Sequence, residues 1–155
     1  MLAFVLPLFG AFSGAIAPVR AQSVVTAIVT DPLTGIAIFG MDPVSYFVEP
    51  APLLGRGDIE YVWGGVAWNF ASAANRDIFM RAPETYAPQF GGHGAMAMAR
   101  GFLSDSDPRI YTVFKQRLYL FYSPGNREAF LLAPDAAAIK AEENWQVLSK
   151  TLSTQ

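Results

Sequence analysis

The sequence has no cysteine and a single histidine among its 155 residues. The first absence excludes disulfides, thiolate zinc sites, iron–sulfur clusters and a thiol nucleophile. The second leaves one imidazole for any general base or soft-metal site. Charge is also scarce. Only 15% of the residues are charged, with 11 Lys and Arg against 13 Asp and Glu, a formal charge of −2 and an isoelectric point near 5.3. That balance excludes a strongly basic face for nucleic acid or an anionic membrane. We find no charge run, no low-complexity block and no repeat at a fixed period. Hydrophobic residues are abundant instead, at 52%, with a mean hydropathy of +0.28. The length suits one domain rather than two.

Part of that hydrophobicity is local. Residues 2–17 carry no charge, and Val19-Arg20-Ala21 places small side chains at the −3 and −1 positions of a signal peptidase site. Residues 1–21 therefore read as a secretory signal cut before Gln22. The apolar run is shorter than the roughly 20 residues a spanning helix needs, and Pro7, Gly10 and Gly14 interrupt it. No Lys or Arg precedes the run, so a retained membrane anchor is the alternative. The expected location is periplasmic or secreted, with membrane attachment only through an uncleaved N-terminal segment.

Residues 22–39 form an N-terminal extension or edge strand, with a turn at Asp31-Pro32-Leu33-Thr34-Gly35. Residues 40–152 form the domain proper. Asp42-Pro43 opens a short helix to about Phe47. Ile59, Tyr61 and Trp63, then Val66, Trp68 and Phe70, alternate around Gly64-Gly65 and predict a hairpin pairing 63 with 66, 61 with 68 and 59 with 70. Ser72 caps a covering helix over 73–81, and Pro83–Tyr86 adds one turn. A short helix containing His93 is expected to end at Gly101. A second hairpin spans about 110–114 and 117–122. Its Lys115-Gln116 junction suits a two-residue turn poorly, so a different or longer turn is expected. Helices follow from Ser123-Pro124 to about Leu132 and from Pro134-Asp135, the latter with an apolar stripe at Ala141, Trp145, Leu148 and Leu152. The class is α+β: one small domain of two β-hairpins packed against several short helices.

The order of these segments resembles secreted bacterial proteins built around a YHS domain. The stretches that carry the resemblance are Gly40–Phe47, Trp68–Phe79, Pro83–Gly92, Arg117–Leu120 and Asn144-Trp145. The resemblance implies a small α+β domain, often with a signal peptide, suspected of binding metal and mostly without an assigned activity. The chain departs from that pattern where members usually read Gly-Gly-Tyr-Cys-Ala. Here the stretch is Gly91-Gly92-His93-Gly94-Ala95, so Gly94 stands at the cysteine position. Relatives also commonly place Asp-Gly where this chain has Lys115-Gln116.

Candidate chemistry centres on His93. With Met96 and Met98 it offers soft donors suited to Cu(I). On a regular helix His93 and Met96 lie about 300° apart and share a face, while Met98 falls about 200° beyond Met96. The copper site thus reduces to His93 and Met96 plus a ligand from elsewhere, weighed against methionines that merely fill a core. Ser104-Asp105-Ser106-Asp107-Pro108 lacks the rest of a calcium loop and reads as a solvated cap on the next strand. Glu142-Glu143 reads as the wet face of the last helix. No serine has an evident base, and the glycines near residue 92 fit no phosphate-loop spacing. A buried Asp42–Arg76 pair would tie the first helix to the one after the hairpin. Any concave site would have Tyr46, Trp68, Tyr86, Phe90 and His93 as its walls.

The leading expectation is an exported, non-catalytic binding module for an unknown small ligand or envelope protein, with no nucleic-acid partner. The alternatives are a periplasmic copper-binding protein using His93 and Met96, and an enzyme with His93 as general base.

Overall fold

The computed structural model describes residues 27–152, so the signal or anchor read at residues 1–21 lies outside the described residues. The chain carries α1 (Ser45–Val48), β1 (Arg56–Trp63), β2 (Val66–Phe70), α2 (Ala73–Arg81), α3 (Pro83–Tyr86), α4 (Ala95–Ala99), β3 (Asp107–Phe114), β4 (Arg117–Phe121), α5 (Pro124–Leu132) and α6 (Pro134–Leu148). β1 pairs with β2 and β3 with β4, as two antiparallel hairpins. The expected α+β class therefore holds, and no described helix is long and apolar enough to cross a membrane.

The first hairpin forms the expected pairs Trp63 with Val66 and Tyr61 with Trp68, but the third slips. The register shifts between Arg56 and Glu60, so Phe70 opposes Arg56 rather than Ile59. A bulge of this kind adds residues to one strand and bends it. Ile59 still packs on the same core as Phe70. The segment before β1 is no free linker. The Asp31 carboxylate accepts the amides of Leu33 and Thr34, closing the predicted turn. Ala37 then donates to the Ala67 carbonyl at 2.9 Å, laying the segment beside β2.

One large feature was not foreseen in the sequence: the chain repeats itself. β1, β2 and α2 have the same lengths as β3, β4 and α5, and the register shift recurs at Asp107/Tyr111. Phe70, Ser72, Asn75, Arg76, Phe79, Ala82 and Pro83 recur 51 residues later as Phe121, Ser123, Asn126, Arg127, Phe130, Ala133 and Pro134. Ser72 accepts from the Asn75 amide and Ser123 from the Asn126 amide, each capping its helix. Phe79 plugs the first hairpin against Trp68 and Phe70, both at 5.2 Å between ring centres. Phe130 plugs the second against Tyr119 at 5.0 Å and Phe121 at 5.3 Å. Even the irregular loops match. Ile38, Phe39 and Gly40 take positive φ in succession, as do Phe90, Gly91 and Gly92.

The two units are joined through β4. Its run Leu118-Tyr119-Leu120-Phe121 is buried on both faces. Leu118 and Leu120 enter the first core, with Trp68 and Phe79; Tyr119 and Phe121 enter the second, with Phe130 and Ala141. A strand covered on both sides reads as continuous apolar sequence rather than as alternation, as β4 does. Leu120→Ala is expected to cost about 2–4 kcal/mol. Because both cores share the strand, urea unfolding followed by tryptophan fluorescence and by circular dichroism should stay a single coincident transition in wild type and variant.

The Lys115-Gln116 junction is a two-residue turn after all, contrary to expectation. Phe114 pairs with Arg117, and Lys115 and Gln116 take φ of 49° and 58°. Such values suit a hairpin of right-handed twist but cost a non-glycine residue about 1–2 kcal/mol. Packing of the flanking strands imposes the turn that composition disfavours. Gln116→Gly should raise stability by about 0.5–1 kcal/mol, read as a higher urea midpoint at unchanged slope.

Candidate functional site

The expected Asp42–Arg76 pair does not form. Asp42 is fully buried, and its carboxylate accepts from the amides of Val44 and Ser45 on one oxygen and from the Ala71 amide and Asn75 Nδ2 on the other. The carboxylate thus ties the start of α1 to the end of β2 and to α2. A buried carboxylate needs such partners, and Asn75 supplies without charge what Arg76 was expected to supply with it. Arg76 instead turns to Asp77, 3.2 Å away.

The five side chains expected to line one pocket are divided between the two cores. Tyr46 is buried in the first core, where its ring meets Tyr111 edge-on at 4.9 Å and its hydroxyl donates to the Pro108 carbonyl at 2.7 Å. Trp68 is buried beneath Phe79, with its indole N–H donating to the Trp63 carbonyl. Tyr86 packs half-buried against Phe47. Phe90 belongs to the second core. His93 is 1% exposed, with its ring 5.9 Å from that of Trp145.

His93 also lies outside the helix expected to hold it. Its φ and ψ of −64° and 151° are extended, and α4 begins only at Ala95. The helical argument linking His93 to Met96 therefore does not apply. Met96 packs half-buried on the second core and Met98 is fully buried there. Among the described residues no group of three or more His, Cys, Asp or Glu gathers as for a metal ion. The glycine pair has a packing role: a Cβ on Gly91 would land on the Ala27 carbonyl oxygen. The Ser104–Pro108 loop is drawn inward, where buried Ser106 donates to the Gly92 carbonyl at 2.6 Å.

Concave surface lies elsewhere among the described residues. An open groove of about 480 Å³ runs between the β3–β4 turn and α6. Phe90, Phe114 and Tyr119 form its floor, Arg117 lines the hairpin side, and Ile139 and Glu142 line the α6 side. Lys115 pairs with Asp135 at one end, and Lys140 pairs with Glu143 on α6. Arg117 donates to the Gln89 amide oxygen at 3.5 Å and also interacts with the Tyr119 hydroxyl. Among the described residues neither Arg117 nor Glu142 forms an ion pair. Burial pushes the Tyr119 hydroxyl above the ordinary tyrosine range; nearby Arg117 opposes the shift, and Glu142 and Asp135 add to it. The floor hydroxyl thus feels both a cation and an anion.

Of this groove, sequence reasoning found only Phe90. In sequence Glu142 looks like wet surface, and Arg117 and Tyr119 belong only to a family-like run. Their signal is positional, since Ala138 and Glu142 stand one turn apart on α6 and both line the groove. A second cavity of about 300 Å³ lies where the units meet, lined by Phe39, Met41, Leu54 and Pro108 among others. Compared with protein-family models, curated proteins and solved structures, the chain has no significant match in any of the three.

Tyr46 makes a pH prediction. Burial first, then the neighbouring Tyr111, Asp107 and Asp42, pushes its hydroxyl well above the usual range. Its folded-state value therefore lies above the unfolded value of about 10. The stability this contributes is complete below pH ~10 and is lost progressively above it, as the unfolded chain ionises first. Tyr46→Phe should cost about 1 kcal/mol at pH 7 through the lost hydrogen bond, and should flatten the fall in melting temperature above pH ~10.

Proposed function

We propose that this chain is an exported, non-catalytic binding module resembling YHS-domain proteins, and that it holds its ligand in the groove between the β3–β4 hairpin and α6. The observation that carries this reading is the groove itself. Its volume lies within the roughly 300–1,000 Å³ of small-molecule sites. It combines aromatic side chains with Arg117 and Glu142, charged groups that form no ion pair among the described residues. A concave site of this size favours a small ligand over a protein surface. Export rests on the apolar segment and the Val19-Arg20-Ala21 site.

The copper and general-base readings both rest on His93, and neither gains from its setting. A base must come within hydrogen-bond reach of the proton it takes, and a ring with 1% of its surface exposed presents no face to a substrate.

An apolar anionic dye, 1-anilinonaphthalene-8-sulfonate, tests the groove. Its fluorescence should rise on saturable binding at one equivalent per chain. Ala138→Trp should abolish that rise by filling the groove, and Ile139→Asp should weaken it, while Leu33→Asp on the far exposed turn should leave it unchanged. Equal dye binding in all four proteins, with melting temperatures confirming that each is folded, would remove the groove as the site.

A further inference from the structure

We infer that the groove recognises a small zwitterion with an apolar body, of the class of a free aromatic or branched amino acid; this rests on the binding-module reading above. The argument is one of charge accounting. The groove and its rim carry three acids on α6, Asp135, Glu142 and Glu143, and two bases on the hairpin, Lys115 and Arg117. Lys115 and Asp135 pair with each other, and Glu143 pairs with Lys140. One cation and one anion remain outside any ion pair, Arg117 on the hairpin wall and Glu142 on the helix wall, and Tyr119 lines the groove with them.

Such a pair across an open groove matches a molecule with both charges. A guanidinium accepts a carboxylate in a two-pronged geometry that suits its planar donors. A carboxylate receives an ammonium as an acceptor of its N–H bonds. Between them, Phe114, Tyr119, Phe90 and Ile139 offer apolar area to a side chain. A ligand with one charge engages only one wall group and forgoes the second charge contact, and that missing contact is the source of discrimination.

The test uses three probes of one shape: phenylalanine, 3-phenylpropionate, which lacks the ammonium, and phenethylamine, which lacks the carboxylate. Isothermal titration of the full chain should show phenylalanine binding at least about tenfold tighter than either analogue, one decade being the effect of a single well-placed charge contact. Phenylalanine should also displace the anilinonaphthalene dye. Arg117→Gln should erase the preference for phenylalanine over phenethylamine, and Glu142→Gln the preference over 3-phenylpropionate. Glu143→Gln, whose carboxylate is already paired, should alter neither.

Equal binding of all three probes, or preference for one singly charged analogue, overturns the zwitterion. If phenylalanine fails to bind while the dye still senses Ala138→Trp, the ligand class falls and the groove stands. If neither dye nor amino acid senses the groove variants, both fall together. Arg117 and Glu142 are exposed, so their glutamine variants should fold, and matching thermal melts will verify that.

Discussion

The burial of β4 on both faces is the constraint on which the rest of the structure depends. A two-stranded hairpin is at best marginally stable alone, because its apolar face needs a cover. Here the first hairpin is covered by α2 through Phe79 and the second by α5 through Phe130. The reverse side of β4 then closes the first core with Leu118 and Leu120. Neither half can complete its core without that strand. The same arrangement sets the groove. The alternation that sends Leu120 into the first core turns Tyr119 toward α6, and the β3–β4 turn brings Lys115 and Arg117 to the helix.

The two units have diverged in how they hold their first loops, and that divergence explains why the groove lies on the second. In the first, buried Asp42 gathers four donors and locks α1 to α2. In the second, the matching position is Gly94, and its loop is held otherwise. Gly94 donates to the Ser104 carbonyl at 2.8 Å, Ser106 holds Gly92, and Asn144 of α6 donates to the Met98 carbonyl at 2.8 Å. The second unit thus depends on α6 for a tie that a side chain supplies in the first. The element after α2 is the single turn α3, whereas the one after α5 is the 15-residue α6. A long helix held at its far end against α4 overhangs the hairpin, and the overhang is the groove's second wall.

Much of the fold was legible in the sequence. The Ser72 and Ser123 caps, Gly64-Gly65 and the prolines at 83, 124 and 134 act through local rules that need no tertiary information. The repeat was hidden because it survives in packing more than in identity. Phe114 stands where the first unit has Trp63, Lys115-Gln116 where it has Gly64-Gly65, and β4 is a continuous apolar run where β2 alternates as Val66-Ala67-Trp68-Asn69-Phe70. The last difference follows from β4 being covered on both faces, which local periodicity does not report. The candidate site was less legible. Rare or aromatic residues such as His93 and Trp68 drew attention because such types often carry chemistry. In this fold both are buried, and the groove is bounded by common charged residues from segments far apart in sequence.

The contrast between Asp42 and Glu142 gives those common residues their weight. A carboxylate at full burial must be compensated within the protein, because desolvation otherwise outweighs folding gains. Asp42 is compensated four times over and has nothing left to offer a ligand. Exposed ion pairs contribute only about 0–1 kcal/mol, so the fold gains little by pairing Arg117 with Glu142 and loses little by leaving them apart. Stability therefore does not explain why the pairs at Lys115–Asp135 and Lys140–Glu143 form on either side while these two stand separate across aromatic surface. A partially desolvated groove strengthens any charge contact made within it. The two groups that cost the fold least to leave open are those that would contribute most to binding.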